Sequence, residues 1–158
     1  MTTRFRNVDF DPGSPVDEWP AEAIETIMDR GSLSDWRRLA DAIRAQPWGP
    51  AARTVETIAG WREHYGVDPL MATVITRARE QFDLVGRERY AGQIRAWRRQ
   101  TGMTLRQFAA AAGTSASRLS DYENAKVAPT TDVLGRLERV ASLHGREADE
   151  QQPTADGL

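Results

Sequence analysis

Apolar residues recur along the first half of the chain with the spacing of amphipathic α-helices. In four stretches they lie three and four positions apart, which places them on one face of a helix. The helices are predicted to begin near Pro20, Ser34, Pro50 and Asp68. Their predicted inward faces are Ala23, Ile24, Ile27 and Met28; Trp36, Leu39, Ala40 and Ile43; Ala51, Val55, Ile58 and Ala59; and Met71, Val74, Ile75, Ala78, Phe82 and Val85. Only the segment 4–10, with imperfect alternation, is predicted to be extended.

The fourth predicted helix has no clear end. Gly86 and Gly92 weaken a helix without terminating it, and the apolar residues Ile94 and Trp97 continue the pattern to about Gln100. We therefore predict one long helix that joins an N-terminal helical domain to a C-terminal one.

Two short helices with a tight turn between them follow. Thr104 and Gln107 have the spacing of a capping box, Gly113 is placed to end the first helix, and Ser115 can cap the second. The residues predicted to be buried are Phe108, Ala109 and Ala112 in the first helix, and Leu119 and Tyr122 in the second. Two such helices are the sequence form of a helix-turn-helix.

A last helix is predicted to start at Pro129 and Thr130, which gives a C-terminal domain of about five helices when the long helix is included. Its predicted inward residues are Val133, Leu134, Leu137, Val140 and Ala141. The chain as a whole is predicted to be all-α, with an N-terminal helical domain over 1–86, a helix-turn-helix domain over 87–145 and a disordered acidic tail over 146–158. The tail lacks apolar anchors.

The composition excludes several classes of protein function. The chain has 158 residues, 40% of them hydrophobic, with five tryptophans and no cysteine. The absence of cysteine excludes disulfide scaffolds, thiolate zinc sites and cysteine catalysis. The start, MTTRFRNVDF, lacks the apolar run of a signal peptide or membrane span, so we expect a cytoplasmic protein. Trp36, Trp48 and Trp61 are expected in the core, although one left exposed would suit an interface.

Charge is distributed unevenly. The formal net charge is −2, but it divides into −3 over residues 1–89, +4 over residues 90–143 and −3 over residues 144–158. A basic excess on a small helical module is typical of a surface that contacts phosphates.

The sequence shows no arrangement of residues that is typical of a catalytic site. His64 and His144 have no ligand partners at metal-binding spacing, so no metal is expected. Ser115, Ser117 and Ser120 have no lysine or histidine placed to activate them, and a glycine-rich phosphate loop is absent. We expect no enzymatic activity and no cofactor.

Residues 90 to about 143 resemble the DNA-binding domain of the Cro/phage-repressor family, the XRE-type helix-turn-helix regulators. The features that carry the resemblance are Arg98, Thr104, Ala109, Gly113, Ser115, Leu119 and the run Glu123-Asn124-Ala125-Lys126, at their mutual spacings. The resemblance implies a lambda-repressor-like domain that binds double-stranded DNA.

The resemblance also implies roles for individual residues. Arg98 and Glu123 match a structural ion pair. Thr104, Ser115, Asn124 and Lys126 match positions that contact phosphates, to which Arg106 is added as a candidate. Base contacts fall to Ala116, Ser117, Arg118 and Asp121: Arg118 can hold guanine, and Asp121 either accepts from cytosine or pairs locally.

Two residues depart from the family pattern. Leu105 replaces a common glutamine that helps to clamp the DNA backbone, and Ala125 replaces the usual glycine after the third helix. Weaker binding by one module would be offset by dimerisation, by Arg106, or by Arg95 and Arg99.

Three functions remain open at this point. The first is a transcriptional regulator, a repressor that binds an inverted-repeat operator as a homodimer. The second is an antitoxin that binds a toxin through residues 1–89 or the tail and regulates their operon. The third is an enzyme or adaptor with a degenerate helix-turn-helix. The first is favoured because it requires only features that the sequence shows.

Overall fold

The computed structural model describes residues 10–61 and 66–150, the last five as backbone. Within these residues the secondary structure is entirely helical, which confirms the all-α prediction. A 3-10 turn over Val16–Glu18 precedes seven α-helices: α1 (Ala21–Arg30), α2 (Leu33–Ala45), α3 (Pro50–Trp61), α4 (Asp68–Thr101), α5 (Leu105–Ala111), α6 (Ala116–Glu123) and α7 (Thr131–Glu150). No stretch of the described helices combines the length and the apolar character that a membrane span requires.

The chain divides into two compact units, Met1–Phe82 and Asp83–Leu158. The division lies inside α4, four residues before the predicted boundary at 86/87. Gly86 and Gly92 do not interrupt this 34-residue helix, so α4 contributes residues to both units, as the sequence predicted.

The first unit packs α1, α2, α3 and the start of α4 around one apolar core. The predicted inward faces are largely buried, because the residues of each stripe lie on one side of their helix. Trp36, Ala59 and Val74 are only half-buried. The Trp36 indole nitrogen donates to the Ile27 carbonyl at 2.6 Å, which ties α2 to α1.

The start of α2 was predicted slightly too late. The helix begins at Leu33, and Ser32 rather than Ser34 is its N-cap. The Ser32 hydroxyl accepts from the Asp35 amide at 3.2 Å, and the Asp35 carboxylate accepts from the Ser32 amide at 3.0 Å. This reciprocal capping box satisfies two helix amides, which a cap at Ser34 would leave without a side-chain partner.

Several large apolar residues are more exposed than predicted. Trp61 is 78% exposed and Trp48 is 46% exposed, so the prediction that both pack in the core was wrong. Phe82 and Val85 were predicted to face inward on α4, but they are 57% and 54% exposed. Helical spacing predicted correctly that such residues share a face, but it carries no information about what covers that face.

The second unit consists of α4 from Asp83, α5, α6 and α7. Its core is formed by Ile94, Phe108, Ala109, Ala112, Leu119, Tyr122, Val133 and Leu137, all predicted to be inward. The described part holds four helices rather than about five, because α7 is one uninterrupted helix from Thr131. Its backbone remains helical over 146–150, which were predicted to be disordered, since no proline or glycine follows Gly145 until Pro153.

Some predictions fall on residues outside the described ranges. These are the extended segment up to residue 9, residues 62–65 of the third helix, which was predicted to run to about Tyr65 and includes His64, and residues 151–158 of the predicted tail.

Candidate nucleic-acid interface

Local sequence builds the turn between α5 and α6. Thr104 and Gln107 form the predicted capping box, with the Thr104 hydroxyl accepting from the Gln107 amide at 3.2 Å. Gly113 has a φ of +65°, a conformation that glycine adopts without steric cost, and the Thr114 amide donates to the Ala109 carbonyl at 2.9 Å. The chain therefore leaves α5 in a fixed direction toward α6.

The helix α6 has one buried side and one exposed side. Leu119 is fully buried and Tyr122 nearly so, and both pack into the core of the second unit. Ser117 and Arg118 are exposed, and Ala116 and Asp121 are half-buried. Because the apolar side anchors the helix, its opposite side is free to contact a ligand.

Ser115 caps α6 as predicted. Its hydroxyl accepts from the Arg118 amide at 3.1 Å. The cap orients the first turn of the helix, whose remaining amides can bind an anion such as a phosphate.

The end of α6 is held by arginines from α4. Arg98 donates to both carboxylate oxygens of Glu123, at 2.7 and 3.1 Å, so the two residues expected to pair do so. Glu123 is buried, while Arg98 remains partly exposed. Hydrogen bonding to Glu123 raises the pKa of Arg98, burial opposes this, and Coulomb attraction to the same carboxylate adds to it. Arg95 donates to the Glu123 backbone carbonyl.

The loop after α6 contains Asn124 and Lys126, which were predicted to contact phosphates, with Ala125 between them. Ala125 has a φ of +56°, the one non-glycine residue of the described chain in this conformation. The Asn124 amide group donates back to the Ser120 carbonyl at 2.8 Å. Lys126 lies 3.5 Å from the Asp121 carboxylate, which is the local pairing considered for Asp121.

Thr104 and Arg106 lie at the start of α5, and both are exposed. In the described chain no hydrogen bond or ion pair joins them to residues of α6. Leu105, which replaces the expected glutamine between them, packs against the core of the second unit, so this position supports the helix instead of facing a ligand.

Sequence reasoning missed two residues that fix this surface. Arg87 on α4 donates to the Lys126 carbonyl at 3.1 Å, and Arg136 on α7 donates to the Gly113 carbonyl at 3.0 Å. Both bonds join residues distant in sequence to backbone carbonyls, which have no sequence signature. In the described residues no cluster of histidine and acidic side chains could hold a metal ion.

Residues 94–144 match a family model described as Helix-turn-helix, about a third of the chain. The match covers the end of α4, α5, α6 and most of α7. It agrees with the XRE-type resemblance and identifies a C-terminal helix-turn-helix domain of a kind found in DNA-binding transcriptional regulators. No curated protein and no solved structure matches the chain.

Proposed function

We propose that this protein, whose residues 94–144 match the helix-turn-helix family, represses transcription by binding an inverted-repeat operator as a homodimer. The observation that carries the proposal is the exposed side of α6, where Ser117 and Arg118 lie opposite the buried Leu119. A helix anchored in this way can enter the major groove and bring its outer side chains to base edges.

Of the four residues of α6 expected to meet bases, Ala116, Ser117 and Arg118 are proposed to do so, and Asp121 is treated separately. Arg118 can donate two hydrogen bonds to guanine O6 and N7, and Ala116 can contact a thymine methyl group. The ion pair between Asp121 and Lys126 favours the local role for Asp121 over acceptance from a cytosine amino group. Arg118 is therefore the principal base-reading residue.

Five residues are proposed to contact phosphates: Thr104, Arg106, Ser115, Asn124 and Lys126. The capping hydroxyls lie at the N-termini of α5 and α6, where amide groups favour an anion. The exposed ammonium of Lys126 and guanidinium of Arg106 supply the charge. Contacts of this kind set the position and affinity on DNA without reading its sequence.

A homodimer follows from the small size of the module. One recognition helix of eight residues reads too few base pairs to be selective in a genome, and two copies related by a two-fold axis double the site. The operator would then be a pair of inverted half-sites.

The test is selection of bound sequences from a random duplex pool with the full chain at fixed, near-physiological salt. Salt is held constant because phosphate contacts make the affinity strongly salt-dependent. An enriched two-fold-symmetric sequence supports the proposal. Absence of any enriched sequence would contradict it.

Arg118→Ala is the matching variant, with Arg139→Ala, an exposed arginine on α7, as the control. Loss of a bidentate guanine contact should weaken binding roughly tenfold or more per half-site and relax the base preference at one position in each half-site. Retention of the full preference in Arg118→Ala would exclude this role for Arg118, and the control should bind like the unaltered chain.

A second candidate is an antitoxin that also binds a protein through its first unit. The observation that favours it is the exposure of Leu33, Trp61 and Leu70 on that unit, since apolar side chains in water are suited to burial against a partner. Co-expression with the product of an adjoining gene would test it. Growth arrest relieved by the full chain, but not by a Leu33→Asp, Leu70→Asp variant, supports this role.

A further inference from the structure

The middle of α4 carries apolar side chains that the described chain leaves exposed. Between Ala78 and Ala91 no residue of α4 is buried. Phe82, Val85 and Tyr90 are 57%, 54% and 40% exposed, and Leu84 is also exposed. Large apolar and aromatic residues concentrated on one exposed segment are typical of a surface that is buried in an assembly.

Five positions of the α4 segment between Ala78 and Ala91 share one face of the helix. Residues 82, 83, 86, 89 and 90 recur at the three- and four-residue spacing that aligns side chains along one side. The Phe82 ring packs edge-on against Trp48, with ring centroids 5.3 Å apart, so its position is fixed. The face therefore presents an aromatic ring near each end with charged groups between them.

Gly86 occupies the centre of this face. Glycine favours a helix interior less than alanine does, and a Cβ added at Gly86 would meet no atom of the described residues within 4 Å. Packing within the chain thus gives no reason for a glycine here. A glycine does permit the backbones of two helices to approach closely.

The sequence around Gly86 is self-complementary. Phe82 and Tyr90 lie four residues before and after it, and Asp83 and Arg89 lie three residues before and after it. In the described chain neither Asp83 nor Arg89 makes a hydrogen bond or an ion pair. When two copies of such a helix cross antiparallel at the glycine, each acid faces the base of the other copy.

We propose that the homodimer forms by antiparallel crossing of two copies of α4 at Gly86. Phe82 of each copy then contacts Tyr90 of the other, and Asp83 of each copy pairs with Arg89 of the other. The contact is isologous, because the same face serves both copies, and its two-fold symmetry is that of an inverted-repeat operator. The inference rests on the proposed function for the existence of a dimer, and it assigns the surface.

The first test is a charge exchange in the full chain, with the monomer–dimer equilibrium measured by sedimentation without DNA. Asp83→Arg and Arg89→Asp alone each place like charges opposite one another at two symmetric positions, and each should weaken dimerisation roughly tenfold. The double variant restores opposite charges and should regain most of the loss. Glu138→Arg, an exposed change on α7, is the control and should have no effect.

The second test separates the interface from folding. Gly86→Leu adds a side chain where the single chain has space, so helicity and thermal stability should not fall. The same side chain prevents close approach of two helices, and dimerisation should weaken at least roughly tenfold. A variant that is as stable as the unaltered chain but predominantly monomeric supports the crossing.

Three results would overturn the inference. They are a chain that remains monomeric at every concentration, single charge variants that dimerise like the unaltered chain, and a double variant no better than the singles. These outcomes are distinct from failure of the proposed function. A symmetric operator selected by a dimer that ignores all four variants leaves the function in place, whereas charge rescue with no enriched DNA sequence leaves only the dimer.

Discussion

Single residues at the end of α6 illustrate how a buried charge is held in place. Glu123 is taken out of water, and its carboxylate is compensated by the two hydrogen bonds from Arg98. A carboxylate that loses such a partner retains the cost of burial without the attraction. The pair therefore fixes the end of the recognition helix only while both members are present.

We expect Arg98→Ala to lower the free energy of unfolding of the second unit by about 2 kcal/mol, less than for a fully buried pair because Arg98 is 29% exposed. Arg98→Lys, which keeps the charge but not the two-fold hydrogen bonding, should lose less. Hydrogen exchange of the α5 and α6 amides measures both. Equal protection in all three proteins would contradict the expectation.

The pKa of Arg98 gives this loss a defined pH dependence. The pKa of Arg98 is raised in the folded state, so the stabilisation by the ion pair is fully present at every pH below the pKa of the unfolded state. This stabilisation is lost only as the pH rises through the pKa of the folded state. Both lie in the strongly alkaline range. The difference between the unaltered chain and Arg98→Ala should therefore not change from Arg98 titration between about pH 7 and pH 9.

At the residue scale the sequence predicted local contacts better than distant ones. The capping hydroxyls of Thr104 and Ser115 bond to amides three residues away, so their spacing alone specifies them. Arg87 and Arg136 bond to carbonyls 39 and 23 residues away, and only the folded arrangement brings the partners together. Such bonds had no signal in the sequence.

At the scale of elements, the termination of α6 is unusual. The helix ends where Ala125 takes a left-handed conformation, at the position where the XRE-type resemblance leads one to expect glycine. For a residue with a Cβ this conformation costs roughly 1 to 2 kcal/mol. Glycine avoids this cost but loses more conformational freedom on folding, so the net difference between the two residues is smaller. The loop that carries Lys126 is therefore formed against a local cost.

We expect Ala125→Gly to raise the free energy of unfolding of the second unit by about 0.5 to 1 kcal/mol, because the strain is removed at a position already built for glycine. Ala96→Gly, an exposed change inside α4, is the matched control and should lower it by about 1 kcal/mol. Urea denaturation compares the two variants. A loss of stability in Ala125→Gly would show that the conformation is not strained.

The helices were predictable because the three- and four-residue spacing of apolar residues can be recognised in a short stretch of sequence. The inward residues of α1, α5 and α6 are buried as predicted. The same rule failed for Phe82 and Val85 on α4, since a shared face need not be a covered face. The end of α7 was also missed, because a charged sequence without apolar anchors can still continue a helix that has already formed.

For the whole molecule, the opposing charges of the segments matter more than the net charge of −2. The basic excess lies in the segment that contains the recognition helix, while the flanking segments are acidic. DNA should therefore be bound through a limited surface, and the affinity should fall steeply with salt as counterions are released.

We expect Lys126→Ala to weaken DNA binding without changing the selected sequence. It should reduce the slope of log affinity against log salt by about 1 per half-site, since one phosphate contact is lost. Arg118→Ala should instead change the selected sequence. A series of affinities at several salt concentrations measures the slope, and an unchanged slope in Lys126→Ala would show that this residue does not contact phosphate.

Lys126 is the single lysine of this sequence, because all the other residues counted as Lys or Arg are arginine. This has a further consequence. Its ammonium group is exposed on the loop after α6, so amine-directed acylation would modify one side chain of the protein and neutralise it. A bound duplex should shield that amine. Mass spectrometry of a single labelled peptide would then report occupancy of the recognition surface, with no engineered probe, and enzymatic lysine acetylation would act at the same atom.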